Sequence, residues 1–294
     1  MYTMFKTLSL FVAAFAVQQA QGQMTSQAAL STGIATAMLN LQGAHVIPDL
    51  LSANSFKLAA LLQQSFDSTS NNPGQTLSIA QVTDAPTWSL QYNTAEQSAI
   101  ENSSYTVMTL DPGAATSTPG NVVRHYLANN VTLANGQLQN TTEAIAGWFS
   151  PAPPPGSGVH RYTTLVFSQP SSFNLPDSLA QYDATIDTNF DLAGYISQTG
   201  LGPVIAATFF LCSNSSTAAS SSVAPVSTAP VQPAAITALA ATASSSLVAA
   251  YGQPDSTTAL AGSTGGMSSG VSPLYAGFTG IVVACMLAGT AVLL

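Results

Sequence analysis

The 294-residue chain has few charged residues: Asp, Glu, Lys and Arg together make up 5% of it, with 4 basic residues against 12 acidic ones. So few basic residues leave no positively charged surface for phosphates, and we expect no nucleic-acid partner. Between residues 23 and 212 neither G-x-S-x-G nor H-E-x-x-H occurs, and these are the patterns of many serine hydrolases and zinc proteases. We therefore predict no cofactor and no enzymatic activity.

Cysteine is also scarce, with 2 residues, Cys212 and Cys285. Cys285 lies in an apolar C-terminal segment that we expect to be removed, so the mature chain would keep only Cys212 and could form no internal disulfide. Cys212 is then either a buried, unreactive thiol or half of an intermolecular disulfide.

The first 22 residues have the anatomy of a signal peptide. Lys6 precedes an apolar run from Leu8 to Val17, and small residues follow at Ala20 and Gly22. The run is shorter than the roughly 20 apolar residues that span a bilayer. Residues 1–22 are therefore predicted to be a cleaved export signal, with a membrane anchor as the alternative.

The other end of the chain is apolar from Leu274 to Leu294, with no Lys or Arg after it. A retained spanning helix normally carries such flanking charge. Residues 262–270 form a small-residue patch and polar spacer before this run, and this order is typical of a GPI-attachment signal. We predict attachment at Ser263 and loss of the tail, residues 271–294, with a retained helix as the alternative.

Residues 213–270 are dominated by Ser, Thr, Ala and Pro and have few large apolar side chains. Such a segment cannot close a core and is predicted to be a disordered, O-glycosylated stalk. Four N-x-S/T sequons begin at Asn102, Asn130, Asn140 and Asn214 and can be glycosylated only in an exported chain. We expect an extracellular protein at the cell surface, held by a lipid anchor, or in the cell wall.

Residues 23–212 remain for one globular domain. Leu30, Ile34, Met38 and Leu41 recur at helical spacing and predict a helix over 27–41. Short runs rich in Val, Thr and aromatic residues predict strands; they cover 76–82, 86–92, 105–110, 125–133, 160–169 and 204–211, and a short helix is predicted over 191–199. Because regular helices do not alternate with these strands, we predict a mainly β domain, an antiparallel β-sandwich with a few peripheral helices.

Two Arg-His pairs stand at the starts of predicted strands, Arg124-His125 and His160-Arg161. Neighbouring side chains on a strand point to opposite faces, so histidines that face the same way would place two imidazoles in one pocket. Asp111 follows the strand at 105–110 and could orient an imidazole there, or simply form a turn. Both histidines could equally be structural.

A proline-rich loop, Trp148 to Gly158, lies directly before His160. Proline fixes φ and donates no hydrogen bond, so this loop could form a rigid pocket wall. A plain linker is the alternative.

Together these residues resemble the phosphatidylethanolamine-binding protein family, in a secreted, fungal-type form. Leu110-Asp111-Pro112, Arg124-His125-Tyr126-Leu127 and residues 153–162 match the family's two characteristic regions, and the resemblance covers about residues 45–211. It implies an antiparallel β-sandwich with a small anion pocket at one end, and ligand binding rather than a reaction.

The resemblance also implies which residues form that pocket. They are Asp111, His125, Trp148, Ala152, Pro153, His160 and Tyr162, with Arg161 as a structural contact. Gly113 stands where the family has a second Asp, Ala152 where a Gly is usual, and the stalk follows Leu211 where many relatives continue into a helix. A less negative, more open pocket is expected.

The main hypothesis is a non-enzymatic binding protein that takes a phosphate-bearing or anionic small ligand, such as a phospholipid headgroup, between His125, His160 and Tyr162. Protonated imidazoles favour anions, so binding should strengthen between about pH 7.5 and 5.5. A structural surface glycoprotein with an unused pocket, and a module that inhibits a protease or binds another partner, are the alternatives. A further alternative is an enzyme, in which Asp111, His125 and His160 form a two-His, one-carboxylate metal site or support a serine nucleophile. The sequence identifies no protein partner.

Overall fold

The computed structural model describes residues 26–114 and 120–214. The predicted signal peptide, the stalk beyond Asn214, Ser263 and the apolar tail lie outside the described residues. The helices in these two ranges are α1 (Gln27–Gly43), α2 (Val46–Asp49), α3 (Thr94–Glu101) and α4 (Leu192–Thr199), with 3-10 turns at Ala53–Ser55 and Ile79–Val82. Within the same ranges, no helix combines the length and apolarity needed to cross a bilayer.

The strands of residues 26–114 and 120–214 form one sheet with antiparallel pairing. They are β1 (Leu61–Phe66), β2 (Thr69–Asn71), β3 (Thr87–Gln91), β4 (Tyr105–Asp111), β5 (Val122–Ala134), β6 (Gln137–Asn140), β7 (Val159–Ser168), β8 (Asp187–Phe190) and β9 (Val204–Ser213). Their order is β2-β1-β3-β6-β5-β4-β7-β9, and β8 pairs with β5. The mainly β, antiparallel class is therefore confirmed.

A two-sheet sandwich is not confirmed, because the single sheet curls until its ends approach each other. The backbone just before β1 bonds to the free edge of β9: the Lys57 N–H donates to the Val204 carbonyl over 2.9 Å and the Ala59 N–H to the Ile205 carbonyl over 2.9 Å. Farther along that edge, the Leu77 N–H donates to the Leu211 carbonyl over 2.8 Å. The architecture is accordingly closer to a barrel.

Apolar side chains fill both faces of the central strands. Every residue of β4 is buried, and both β7 and β9 are buried over all but their ends. Leu30 and Ile34 of α1 pack in one core with Met108 and Leu165. A second core, on the other face, contains Trp88, Tyr126, Val166 and Ile205. Burial on both faces explains why β9 is a nearly continuous apolar run.

The strand predicted over residues 76–82 is wrong. Its second half is a 3-10 turn that Ser78 and Gln81 close with a reciprocal capping box, so the local side-chain bonds override the strand propensity. The sequence analysis also missed four strands of the sheet, β1, β2, β6 and β8, and two helices, α2 and α3. The remaining predicted helices and strands agree with the structure to within three residues at either end.

Candidate functional site

A cavity of about 670 Å³ opens where β4 and β5 meet the start of β7. Its walls come from those strands, from residues 112–114, from the proline-rich loop and from β8. Six of the seven predicted ligand-binding residues line it: Asp111, His125, Ala152, Pro153, His160 and Tyr162. The structure thus brings together side chains that are up to 51 positions apart in the sequence, Asp111 to Tyr162.

His125 is held against the backbone that leads into the proline-rich loop. Its Nδ1 lies 2.7 Å from the Phe149 carbonyl oxygen, and the Phe149 N–H donates to the His125 carbonyl over 2.8 Å. Since a carbonyl only accepts, Nδ1 carries the proton, and Nε2 of the neutral ring is an acceptor. Burial lowers the pKa of His125 below its usual 6.5; the nearby His160 lowers it further, while the Phe149 carbonyl and Asp111 act in the opposite direction. His125 is therefore neutral at pH 7.

His160 has no free ring nitrogen. Its Nδ1 lies 2.6 Å from Asp111 Oδ2 and its Nε2 lies 2.7 Å from the Ser157 hydroxyl oxygen. The other Asp111 oxygen accepts the Gly113 N–H over 2.8 Å. His160 is 3% exposed and Asp111 1%. The two predicted pocket imidazoles therefore differ, because only His125 keeps a nitrogen that is not bonded to another protein group in the described part of the chain.

Ser157 was not among the predicted site residues, although it lines the cavity beside His160. It lies three residues before His160 in Gly156-Ser157-Gly158, where both glycines have positive φ, 80° and 92°. Side chains rarely adopt such values, so the glycines permit the tight turn that points Ser157 back at His160. The G-x-G spacing directly before the histidine is the sequence signal that could have identified this residue.

The Tyr162 ring packs against the rings of both pocket histidines. Its ring is stacked on Phe210 with centroids 5.2 Å apart, meets the His125 ring edge-on at 4.9 Å and lies parallel to the His160 ring at 6.3 Å. Burial raises the pKa of the Tyr162 hydroxyl well above its usual value of 10. Tyr162 is therefore a neutral hydrogen-bonding group at the cavity.

Each arginine that neighbours a pocket histidine is paired with a carboxylate. Arg124 forms an ion pair with Asp183, lies 3.9 Å from an Asp187 oxygen and sits 5.3 Å from the centre of the Phe190 ring. On the other strand, Arg161 donates to the Ala44 carbonyl over 2.8 Å and to Asp49 over 3.1 Å. The Arg161 contacts join the α1–α2 connection to the base of the site.

Trp148 does not line the cavity. Its indole N–H donates to the Val82 carbonyl over 3.2 Å, and its ring lies 5.9 Å from that of Phe66. The backbone of the adjacent Phe149 forms two hydrogen bonds with His125. Trp148 therefore packs behind the cavity wall and stabilises the site without contacting the cavity.

The residues in the two described ranges contain no group of three or more His, Cys, Asp or Glu side chains placed to hold a metal ion. His160 could not serve as a ligand without breaking one of its two hydrogen bonds. Cys212 is free and 0% exposed, and burial raises its thiol pKa to about 11. Such a thiol is inaccessible to a second chain, which argues against an intermolecular disulfide.

The four sequon asparagines, Asn102, Asn130, Asn140 and Asn214, are all exposed. Asn130 and Asn140 lie on neighbouring strands of the β5–β6 pair. All four residues are therefore exposed positions.

These features define a class: an antiparallel β-domain in which one aspartate, two histidines and a tyrosine surround a single cavity. The model of the family described as "Phosphatidylethanolamine-binding protein" matches residues 67–210, and the chain belongs to this family. The match includes every residue that lines the cavity except Asp49.

Two curated relatives have names that refer to a gene cluster and to secretion. One is "Phomoidride biosynthesis cluster protein N" of Talaromyces stipitatus, 34% identical over 73 residues, which cover 24% of this chain and 36% of that protein. The other is the "26 kDa secreted antigen" of Toxocara canis, 30% identical over 145 residues, which cover 47% of this chain and 50% of that protein. The chain thus spans half or less of the length of these relatives.

Among solved structures, a carboxypeptidase Y inhibitor in complex with its cognate proteinase is similar with a TM-score of 0.49 and 21% identity. The similarity covers 61% of this chain and 96% of the inhibitor structure.

Proposed function

We propose that the protein is an exported binding protein whose cavity takes a small ligand with a phosphate or similar anionic group. The observation that carries this proposal is the convergence of His125, Tyr162 and the Asp111–His160 pair on one cavity of about 670 Å³. A volume of this size suits a headgroup-sized molecule. Membership of the phosphatidylethanolamine-binding protein family supports the same ligand class.

The charge balance of the cavity favours His125 as the main anion contact. Asp111 is bonded to His160, and Asp49 is bonded to Arg161, so each of these acidic groups lies beside a basic one. Protonation of His125 would add a positive charge whose free Nε2–H donates to an anion. Gly113, in place of a second acidic residue, keeps a further negative charge away: a side chain there would begin 3.2 Å from Asp111 Oδ1.

We expect anion affinity to rise as the pH falls, mainly below pH 6.5. Burial lowers the pKa of His125, so the free protein takes up the proton only below the usual value, and a bound anion favours uptake. One linked proton allows at most about a tenfold gain per pH unit. Calorimetric titration of the purified mature protein with glycerophosphoethanolamine measures this affinity. The phosphodiester keeps its charge as the pH changes, so any pH dependence of binding comes from the protein.

The variants for this titration separate charge from shape. His125→Gln should remove the pH dependence, and Gly113→Asp should weaken binding about tenfold through like-charge repulsion. His45→Asn is the matched control, since His45 is exposed, outside the cavity, and has a φ of 56° that asparagine tolerates. Tight binding that is unchanged by His125→Gln at every pH would refute the proposed contact.

We also propose that the domain is displayed at the cell surface: residues 1–22 direct export, residues 213–270 form the stalk, and a GPI anchor replaces the tail after Ser263. The exposed sequon asparagines and the relative described as a secreted antigen support export. A phosphatidylinositol-specific phospholipase should release the protein from intact cells. Mass spectrometry of the released protein should find no peptide beyond about Gly270, and a peptide containing Cys285 would contradict the anchor.

A further inference from the structure

We propose that Ser157 is a nucleophile and that the cavity deacylates small esters through a Ser157–His160–Asp111 relay. The Ser157 hydroxyl oxygen lies 2.7 Å from His160 Nε2, and His160 Nδ1 lies 2.6 Å from Asp111 Oδ2. This is the order of groups that activates serine in acyl-transfer enzymes: hydroxyl, imidazole, carboxylate, each within hydrogen-bond reach of the next. The proposal concerns a reaction, which goes beyond the anion binding proposed above.

The far end of the relay is rigid and shielded from water. Asp111 is 1% exposed and His160 is 3% exposed. The Gly113 N–H bonds to the second Asp111 oxygen, which fixes the plane of the carboxylate. An aspartate held in this way sets the tautomer of the imidazole, with the proton on Nδ1, so that Nε2 is free to accept the serine proton.

The near end of the relay reaches the cavity. Ser157 is partly exposed, and it lines the cavity together with His160. Its hydroxyl has a single proton and two acceptors, His160 Nε2 at 2.7 Å and the Pro154 carbonyl at 2.7 Å. When the proton points to His160, the Ser157 oxygen is ready to attack. The candidate donor to the resulting oxyanion is the N–H of Gly158, the residue after the nucleophile, which is the position that hydrolases use.

The reaction balances without any cofactor. The Ser157 oxygen forms a bond to the ester carbonyl carbon while its proton passes to His160 Nε2. The carbon–oxygen bond to the leaving alcohol breaks, and the alcohol takes that proton. Water then attacks the acyl-serine with His160 as base, which releases the carboxylic acid and restores Ser157.

The cavity favours a short acyl group. Ala152, Pro153 and Val123 supply apolar wall beside Ser157, within a total volume of about 670 Å³. A small acyl chain can lie against these residues, whereas the histidine side of the cavity suits the polar part of the molecule. The substrate class is therefore an ester of a small acyl group.

The test is acylation of the purified mature protein by p-nitrophenyl acetate. We expect a burst of p-nitrophenolate equal to the protein concentration, and an acetyl adduct on the peptide that contains Ser157. Ser157→Ala should remove both. Asp111→Asn should slow the burst at least about 100-fold, within the range of general-base catalysis. Ser150→Ala is the matched control, because Ser150 is an exposed serine in the same loop that does not line the cavity.

Absence of a burst from folded wild-type protein would overturn the proposal, as would a burst that Ser157→Ala leaves unchanged or an adduct on another residue. The glycerophosphoethanolamine titration separates this outcome from the proposed binding function. Binding that persists in Ser157→Ala while acylation is absent from the wild type refutes only the nucleophile, and acylation without anion binding refutes only the binding function.

Discussion

Replacing Phe210 with alanine should lower the free energy of unfolding by about 3–5 kcal/mol, the usual cost of removing a fully buried phenylalanine ring. Phe210 is 0% exposed. Its ring is stacked on Tyr162 and meets Phe66 edge-on with centroids 5.3 Å apart. A cavity at this position would remove packing from both of these aromatic side chains at once. Urea unfolding followed by tryptophan fluorescence measures the loss.

The same substitution should weaken ligand binding without any contact to the ligand. Phe210 supports Tyr162, and Tyr162 keeps the rings of His125 and His160 at their separate positions. Phe210→Leu is the matched control, since it keeps most of the buried volume and should cost about 1–2 kcal/mol. A Phe210→Ala protein that loses less than about 1 kcal/mol would show that the ring does not hold this layer together.

The second large effect is expected for Asp111→Ala, which should lower the free energy of unfolding by about 3 kcal/mol. The Asp111 carboxylate accepts hydrogen bonds from His160 and from the Gly113 N–H, and its side chain is 2% exposed. Removing it leaves both donors without that acceptor, and His160 is almost fully buried, so the loss costs more than losing an exposed pair.

Asp111→Asn tests the charge separately from the shape, because the amide oxygen can still accept one of the two hydrogen bonds. We expect its destabilisation to lie between those of Asp111→Ala and Asp177→Ala. Asp177 is exposed, and within residues 26–114 and 120–214 its backbone oxygen alone accepts hydrogen bonds, so Asp177→Ala should change stability by less than about 0.5 kcal/mol. Equal stability of the Asp111→Ala and Asp177→Ala proteins would contradict the structural role of Asp111.

The local sequence pattern predicted helices and strands correctly where the residues of a segment favour one type of secondary structure. The helical spacing from Leu30 to Leu41 predicts α1, and the β-branched and aromatic residues of β4 and β7 predict strands, which the structure shows to be buried on both faces. By contrast, β1 reads Leu-Leu-Gln-Gln-Ser-Phe and has no β-branched residue, so only its pairing with β2 and β3 makes it a strand. The run at 76–82 shows the opposite case, in which a capping box outweighs apolar composition.

The sequence by itself determined the mainly β class, because short runs of β-branched and aromatic residues specify strands, and its resemblance to the family indicated six residues of the cavity. Only the tertiary structure decided where each of those side chains lies and which hydrogen bonds it makes. Which nitrogen of each histidine is bonded and why Trp148 lies behind the site depend on contacts with distant segments: the Phe149 carbonyl, the Asp111 carboxylate and the Val82 carbonyl. Hydrogen bonds act over about 3 Å, so partners that folding brings together cannot be read from spacing along the chain.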